Sequence, residues 1–173
     1  MNKMIISLRG LMLLLTLTLL LAFPTYAGAL APSARLPTVP TGLEEEGVYL
    51  VINKTSNRLT VFVNGRPMYY FAVATGRTKA LTPTGQFNIV TKIVKPWYVR
   101  KQVPGGHPRN PLGSRWMGLN VPGTGGYTYG IHGTNRPYSI GSSASSGCIR
   151  MHNRDIEWLY RHIPLGTVVI IRE

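Results

Sequence analysis

The chain has 173 residues, with 19 Lys and Arg against 6 Asp and Glu, a formal charge of +13, and one cysteine. That length excludes a large multidomain assembly and gives one domain with a real core. A single cysteine excludes a disulfide framework within the chain.

Lys3 and Arg9 open the chain, Gly10 to Phe23 is rich in leucine, Pro24 breaks the run, and Ala27-Gly28-Ala29 offers small residues for cleavage. Residues 1–29 therefore read as a signal peptide, and the chain as exported to the cell envelope, periplasm or wall. The apolar run is short for a membrane span, and an uncleaved anchor is the alternative. Without residues 1–29 the chain keeps 17 basic and 6 acidic side chains, and beyond Gly47 the acids are only Asp155, Glu157 and Glu173. Such a surface suits anionic envelope polymers or an anionic peptide. Export argues against nucleic acid. A solvated basic surface without a specific partner is the plain alternative.

Residues 30–46 carry Pro32, Pro37, Pro40 and Gly42 with little apolar periodicity, the composition of a linker. Residues 47–173 form the one folded domain. Val48 to Asn53 and Leu59 to Val63 read as strands, and Asn64-Gly65 as a hairpin turn returning into Pro67 to Ala74. Thr82-Pro83-Thr84-Gly85 is a turn before an alternating strand, Gln86 to Ile93. A Pro/Gly-rich loop from Val94 to Ser114 is long enough to be a lid or binding loop. Its Trp97, Tyr98, Arg100 and Lys101 are either a stacking and charge patch or core aromatics with solvated neighbours. Short strands are expected at Arg115 to Asn120 and Tyr127 to His132. Asn153 is placed to cap a helix with Ile156, Leu159, Tyr160 and Ile163 on one face, ended by Pro164 and Gly166. His162 suits the dipole at its C-terminus. Thr167 to Arg172 closes the domain as a buried strand. The fold expected from the pattern is mainly β with one packed helix.

The stretch from Ile131 to Met151 carries the chemistry. Its thiol, Cys148, follows His132 by sixteen residues, and Gly147 precedes it. An unpaired cysteine is either a small buried hydrophobe or a nucleophile. A strand-end histidine, a flanking glycine and a Ser-rich loop favour the nucleophile, activated by the imidazole as base and acid. Gly147 leaves room for a carbonyl, and the Cys148 backbone N–H is placed for its oxyanion. The group that orients the imidazole is Asp155, Glu157, an amide, a hydroxyl or a backbone carbonyl, because no acid lies between Gly47 and Arg154. A carbonyl near Gly133 is favoured. His107 and His152 lack metal-ligand spacing with Cys148 and His132, so neither a metal nor another cofactor is expected.

These residues resemble the L,D-transpeptidase catalytic domain, the YkuD-like family. The signature is a histidine, a spacer, then Ser/Thr-x-Gly-Cys, a hydrophobic residue and Arg or Asn. Here it stands as His132-Gly133, then Ser145-Ser146-Gly147-Cys148-Ile149-Arg150. Thr82 to Gly85 with Phe87, and Asn110 to Gly113 with Trp116, are family-like too. The resemblance covers 47–173. It implies a β-sandwich-like domain in which Cys148 attacks the third residue of a peptidoglycan stem tetrapeptide and D-alanine leaves. The thioester then passes to the side-chain amine of a second stem, giving a 3→3 cross-link. It makes His132 the base and acid, the Gly133 carbonyl the orienter, and Arg150, Ser145, Ser146 and Gly147 the shapers of the substrate pocket. It also implies inhibition by carbapenems. Two features depart from the pattern of many members: Ser146 stands where they have histidine, and no wall-binding repeat occurs in the linker. L,D-carboxypeptidase or endopeptidase action shares the first half-reaction. A non-catalytic envelope-binding module is the reading from another class.

Overall fold

A computed structural model describes residues 47–173, and the expected signal peptide and linker lie outside the described residues. Among the described residues are ten strands and one α-helix: β1 Val48–Asn53, β2 Arg58–Val63, β3 Arg66–Ala72, β4 Thr75–Gly76, β5 Gly85–Val94, β6 Arg115–Leu119, β7 Gly130–His132, β8 Ser143–Ser145, β9 Ile149–Arg150, α1 Asn153–His162 and β10 Val168–Arg172. The mainly β expectation with one packed helix holds.

Eight strands form one sheet in the order β3-β2-β1-β10-β5-β6-β7-β9, and β4 pairs with β8 in a second, two-stranded sheet. The large sheet curls. Ala74, just past β3, exchanges two backbone hydrogen bonds of 2.9 Å with Arg150 of β9, so the chain leaving one edge reaches the strand at the other. This explains why the third strand stops at Ala72 rather than running to Ala74. Val73 N–H turns to Asn57 O, and Ala74 then bonds Arg150.

Asn64 and Gly65 both take positive φ, 49° and 72°, as a two-residue hairpin with right-handed twist requires. The unbroken apolar runs of β1 and β10 follow from burial on both faces. Leu50 and Ile52 enter the main core, while Tyr49, Val51 and Ile170 form a smaller cluster on the other face. The main core joins Leu59, Ile89, Met117, Leu119, Ile131 and Ile149 to Ile156, Leu159 and Ile163 of α1. Each such side chain withdrawn from water contributes roughly 1.5–3 kcal/mol. The helix packs against β6 and β7, backing the strands that carry the site.

Candidate active site

Register builds the site. β7 and β9 run parallel, with Ile131 opposite Ile149 and His132 opposite Arg150, and β6 places Trp116 opposite His132. Side chains alternate between the faces of a strand. Met117, Ile131 and Ile149 point into the core, so Trp116, His132 and Arg150 line up on the opposite face, with Gly130 and Cys148 one step along.

His132 is buried, and its Nδ1 lies 2.6 Å from the Gly133 carbonyl oxygen. A carbonyl only accepts, so Nδ1 carries the hydrogen and Nε2 is left as the basic nitrogen. The Trp116 ring stacks on the imidazole at 5.5 Å and 20°, and Trp116 Nε1 is itself held by Gly126 O. Burial lowers the His132 pKa to about 4. The Gly133 and Leu112 backbone bonds oppose that shift, and the Arg150 charge adds to it. The imidazole is therefore neutral at physiological pH.

Cys148 is half-buried, and its Sγ donates to Thr128 O at 3.2 Å. Burial pushes the thiol pKa up, while a Gly130 backbone bond and the charges of Arg150 and Arg100 pull it down. Net, the thiol rests protonated. The two groups share a face, and both are uncharged.

The turn before Cys148 is tightly specified. Gly147 has φ +131°, and a Cβ there would lie 2.6 Å from Leu81 O. Gly147 N–H donates to Ser145 Oγ at 2.9 Å, so the buried Ser145 hydroxyl serves the turn, while Ser146 is exposed. The buried Thr82 hydroxyl donates to Gly147 O at 2.8 Å and accepts from Gly76 N–H at 2.9 Å. Thr82 thus buttresses the turn before Cys148.

Comparison with known proteins follows the same residues. The family model for the L,D-transpeptidase catalytic domain, YkuD, matches residues 47–171. The chain belongs to the YkuD family of L,D-transpeptidase catalytic domains. It is 46% identical over 125 residues to YqjB of Bacillus subtilis, covering 72% of this chain and 71% of that protein. It is 38% identical over 123 residues to YkuD of the same organism, covering 71% and 65%; both names class them with the L,D-transpeptidases. L,D-transpeptidase 3 of Mycobacterium tuberculosis has the same fold, with a TM-score of 0.57 and 18% identity, over 73% of this chain and 61% of that one. The L,D-transpeptidase LdtMt1, solved in complex with imipenem, aligns with a TM-score of 0.52 and 19% identity over 72% and 58%.

Within this L,D-transpeptidase domain, Asn153 departs from expectation. Position 152, not 153, is the helix N-cap, and no side chain caps the helix. Asn153 faces the site instead. Its Oδ1 accepts from Ser114 N–H at 3.2 Å and Thr134 N–H at 3.1 Å, and its Nδ2 donates to Thr134 O at 3.1 Å. It therefore fastens the segment that presents the Gly133 carbonyl. Gly113 and Gly133 are glycines because a Cβ at either would sit 2.2 or 2.1 Å from Asn153 Oδ1. Leu112, Thr82 and Asn153 went unseen in the sequence as parts of the site. Only their places in family-like segments, or next to them, hinted at it.

The loop after β5 is internally bonded. Buried Asn110 donates through Nδ2 to Pro96 O at 2.9 Å and Pro104 O at 3.0 Å, and its Oδ1 accepts from Leu112 N–H at 2.9 Å. Tyr98 and Val103 bridge its arms. Trp97 is exposed at 56%, which decides against a core role. His162, in the last helical turn, donates from Nδ1 to Trp158 O at 2.7 Å.

Proposed function

We propose that this domain is an exported cysteine acyltransferase that cross-links peptidoglycan, with residues 1–29 its signal peptide and 30–46 a linker. The observation that carries this reading is the parallel β7–β9 register, which sets His132 and Cys148 on one face with Nδ1 committed to Gly133 O.

In this mechanism the thiol leaves Thr128 O and turns toward His132. Sγ attacks the carbonyl carbon of the third stem residue as its proton passes to Nε2. The Cys148 N–H receives the oxyanion. The tetrahedral intermediate collapses, the C–N bond to D-alanine breaks, and Nε2 returns the proton to the leaving amine. The amine of a second stem then attacks the thioester, giving a proton to His132. The C–S bond breaks, and Sγ recovers the proton as the 3→3 amide forms. Because both groups rest neutral, His132 acts as a general base during attack rather than holding a standing thiolate–imidazolium pair. The imipenem complex of a relative with the same fold supports carbapenem inhibition through Cys148. The basic surface supports wall association, with anionic envelope polymers as added partners.

Intact-mass measurement with a disaccharide-tetrapeptide tests the reading. It predicts a covalent adduct lacking D-alanine that Cys148→Ala abolishes and an amine acceptor resolves into cross-linked product. A folded protein with a titratable thiol that gives no adduct and releases no D-alanine would refute it. Resolution by water alone would make the enzyme a carboxypeptidase.

A further inference from the structure

Arg150, two residues along the chain from the thiol, lines a cavity of about 220 Å³ together with Tyr98, Lys101, Arg109, Thr134 and Arg136 among others. Four of these side chains are cationic. None pairs with a carboxylate: the ion pairs among the described residues are Lys54–Glu173 and Arg154–Asp155. The sequence offers no acid between Gly47 and Arg154 that could neutralise the cavity from within. Like charges gathered without a counterion repel one another, and an anion entering the cavity relieves that repulsion.

The backbone that carries these side chains is held in place, while Lys101, Arg109 and Arg136 themselves are exposed. Asn110 ties the loop that presents Lys101 and Arg109. Arg136 is fixed at its backbone, its N–H donating to Thr134 Oγ1 at 3.0 Å and its carbonyl accepting from Ser139 Oγ at 2.8 Å. Arg150 is half-buried and locked to Ala74. Guanidinium forks match a carboxylate in two parallel bonds.

We propose that this cavity is an anion subsite that holds a free carboxylate of the donor peptide. The inference rests on the acyl-transfer reading above. Arg150 stands two residues from Cys148 on the same strand face, roughly 7 Å along it, or about two residues of extended peptide. A group within two residues of the scissile bond therefore reaches the cavity from the thiol. A wall polymer would instead spread its phosphates over the wider basic surface, so a pocket within two residues' reach of the thiol favours the peptide. Either the terminal carboxylate or one further along the stem is the occupant.

Three donors distinguish the sources: the free acid, one amidated at the terminal carboxylate, and one amidated at every other carboxylate. Cys148 acylation by each is followed by intact mass, and affinity is measured separately on Cys148→Ala. One amidated donor is expected to show KM and Kd raised at least about tenfold, the scale of a lost charge-assisted contact, with kcat little changed. Arg109→Gln/Arg136→Gln should use all three donors alike, and the paired Arg→Lys variant should keep part of the preference. Equal use of all three by the wild type, or a preference that survives the Gln pair, would overturn the subsite. So would a Gln pair that loses binding to an anionic polymer while its peptide kinetics stay unchanged. Acylation of the wild type by no donor at all would instead remove the acyl-transfer reading beneath it.

Discussion

The two halves of the sheet are held together differently. The β3-β2-β1-β10-β5 half uses strands of 5 to 10 residues, and its central pair is buried on both faces. The β7–β9 end uses strands of 3 and 2 residues. These short strands supply only Ile131 and Ile149 to the apolar core, and side-chain-to-backbone bonds from Thr82, Ser145, Asn110 and Asn153 add to the fixing of the geometry there. Apolar burial stabilises the first half, and buried polar bonds position the second. Damage to the first should cost stability with catalysis of the folded fraction intact, and damage to the second should cost catalysis beyond any loss of stability.

The largest separation is expected from Cys148→Ala, which removes the proposed nucleophile. Donor acylation should fall beyond detection, more than about a thousandfold, while the unfolding midpoint stays close to wild type. Leu59→Ala, at a fully buried core position, should do the opposite. Urea unfolding should show a loss of roughly 2–5 kcal/mol, with the acylation rate of the folded fraction unchanged.

A third test uses pH. The His132 pKa is about 4 in the fold against an ordinary 6.5, so the unfolded chain binds more protons between those values. The contribution is fully present above pH 6.5 and is lost as pH falls toward 4, by at most about 3 kcal/mol at ~1.4 kcal/mol per unit. His132→Gln should flatten that part of the stability-versus-pH curve, measured by urea unfolding at several pH values. The smallest effect is expected from Thr82→Val, which leaves Gly76 N–H and Gly147 O without their partner. It should cost about 1–3 kcal/mol and slow acylation more than Leu59→Ala does, whereas Thr82→Ser should restore the rate.

The same division governs how far the sequence could be read. The apolar runs of β1 and β10, the Asn64-Gly65 turn and the Ile156/Leu159/Ile163 stripe are local signals, and the structure follows them. The short strands are not local. β4 finds β8 nearly seventy positions away, and only the curl of the sheet brings Ala74 to Arg150. The strand expected from Tyr127 begins only at Gly130, because Thr124 O accepts from Tyr127 N–H in a turn. The contact of His132 with the Gly133 carbonyl was legible because chemistry narrows residue type and the acids are missing. Asn153 was misplaced as a cap because its local position allows that role. Its actual partners, Ser114 and Thr134, lie 39 and 19 residues away.

The central mechanistic claim is that thiol and imidazole rest uncharged and exchange a proton only during attack. The most direct test is the ultraviolet thiolate absorbance of the wild type, titrated against Cys148→Ala, since the chain has one cysteine. The account predicts no difference between the two from about pH 5 to 8, with thiolate appearing only above the ordinary cysteine pKa of about 9. A thiolate signal already present near pH 6 would show a standing ion pair and contradict it.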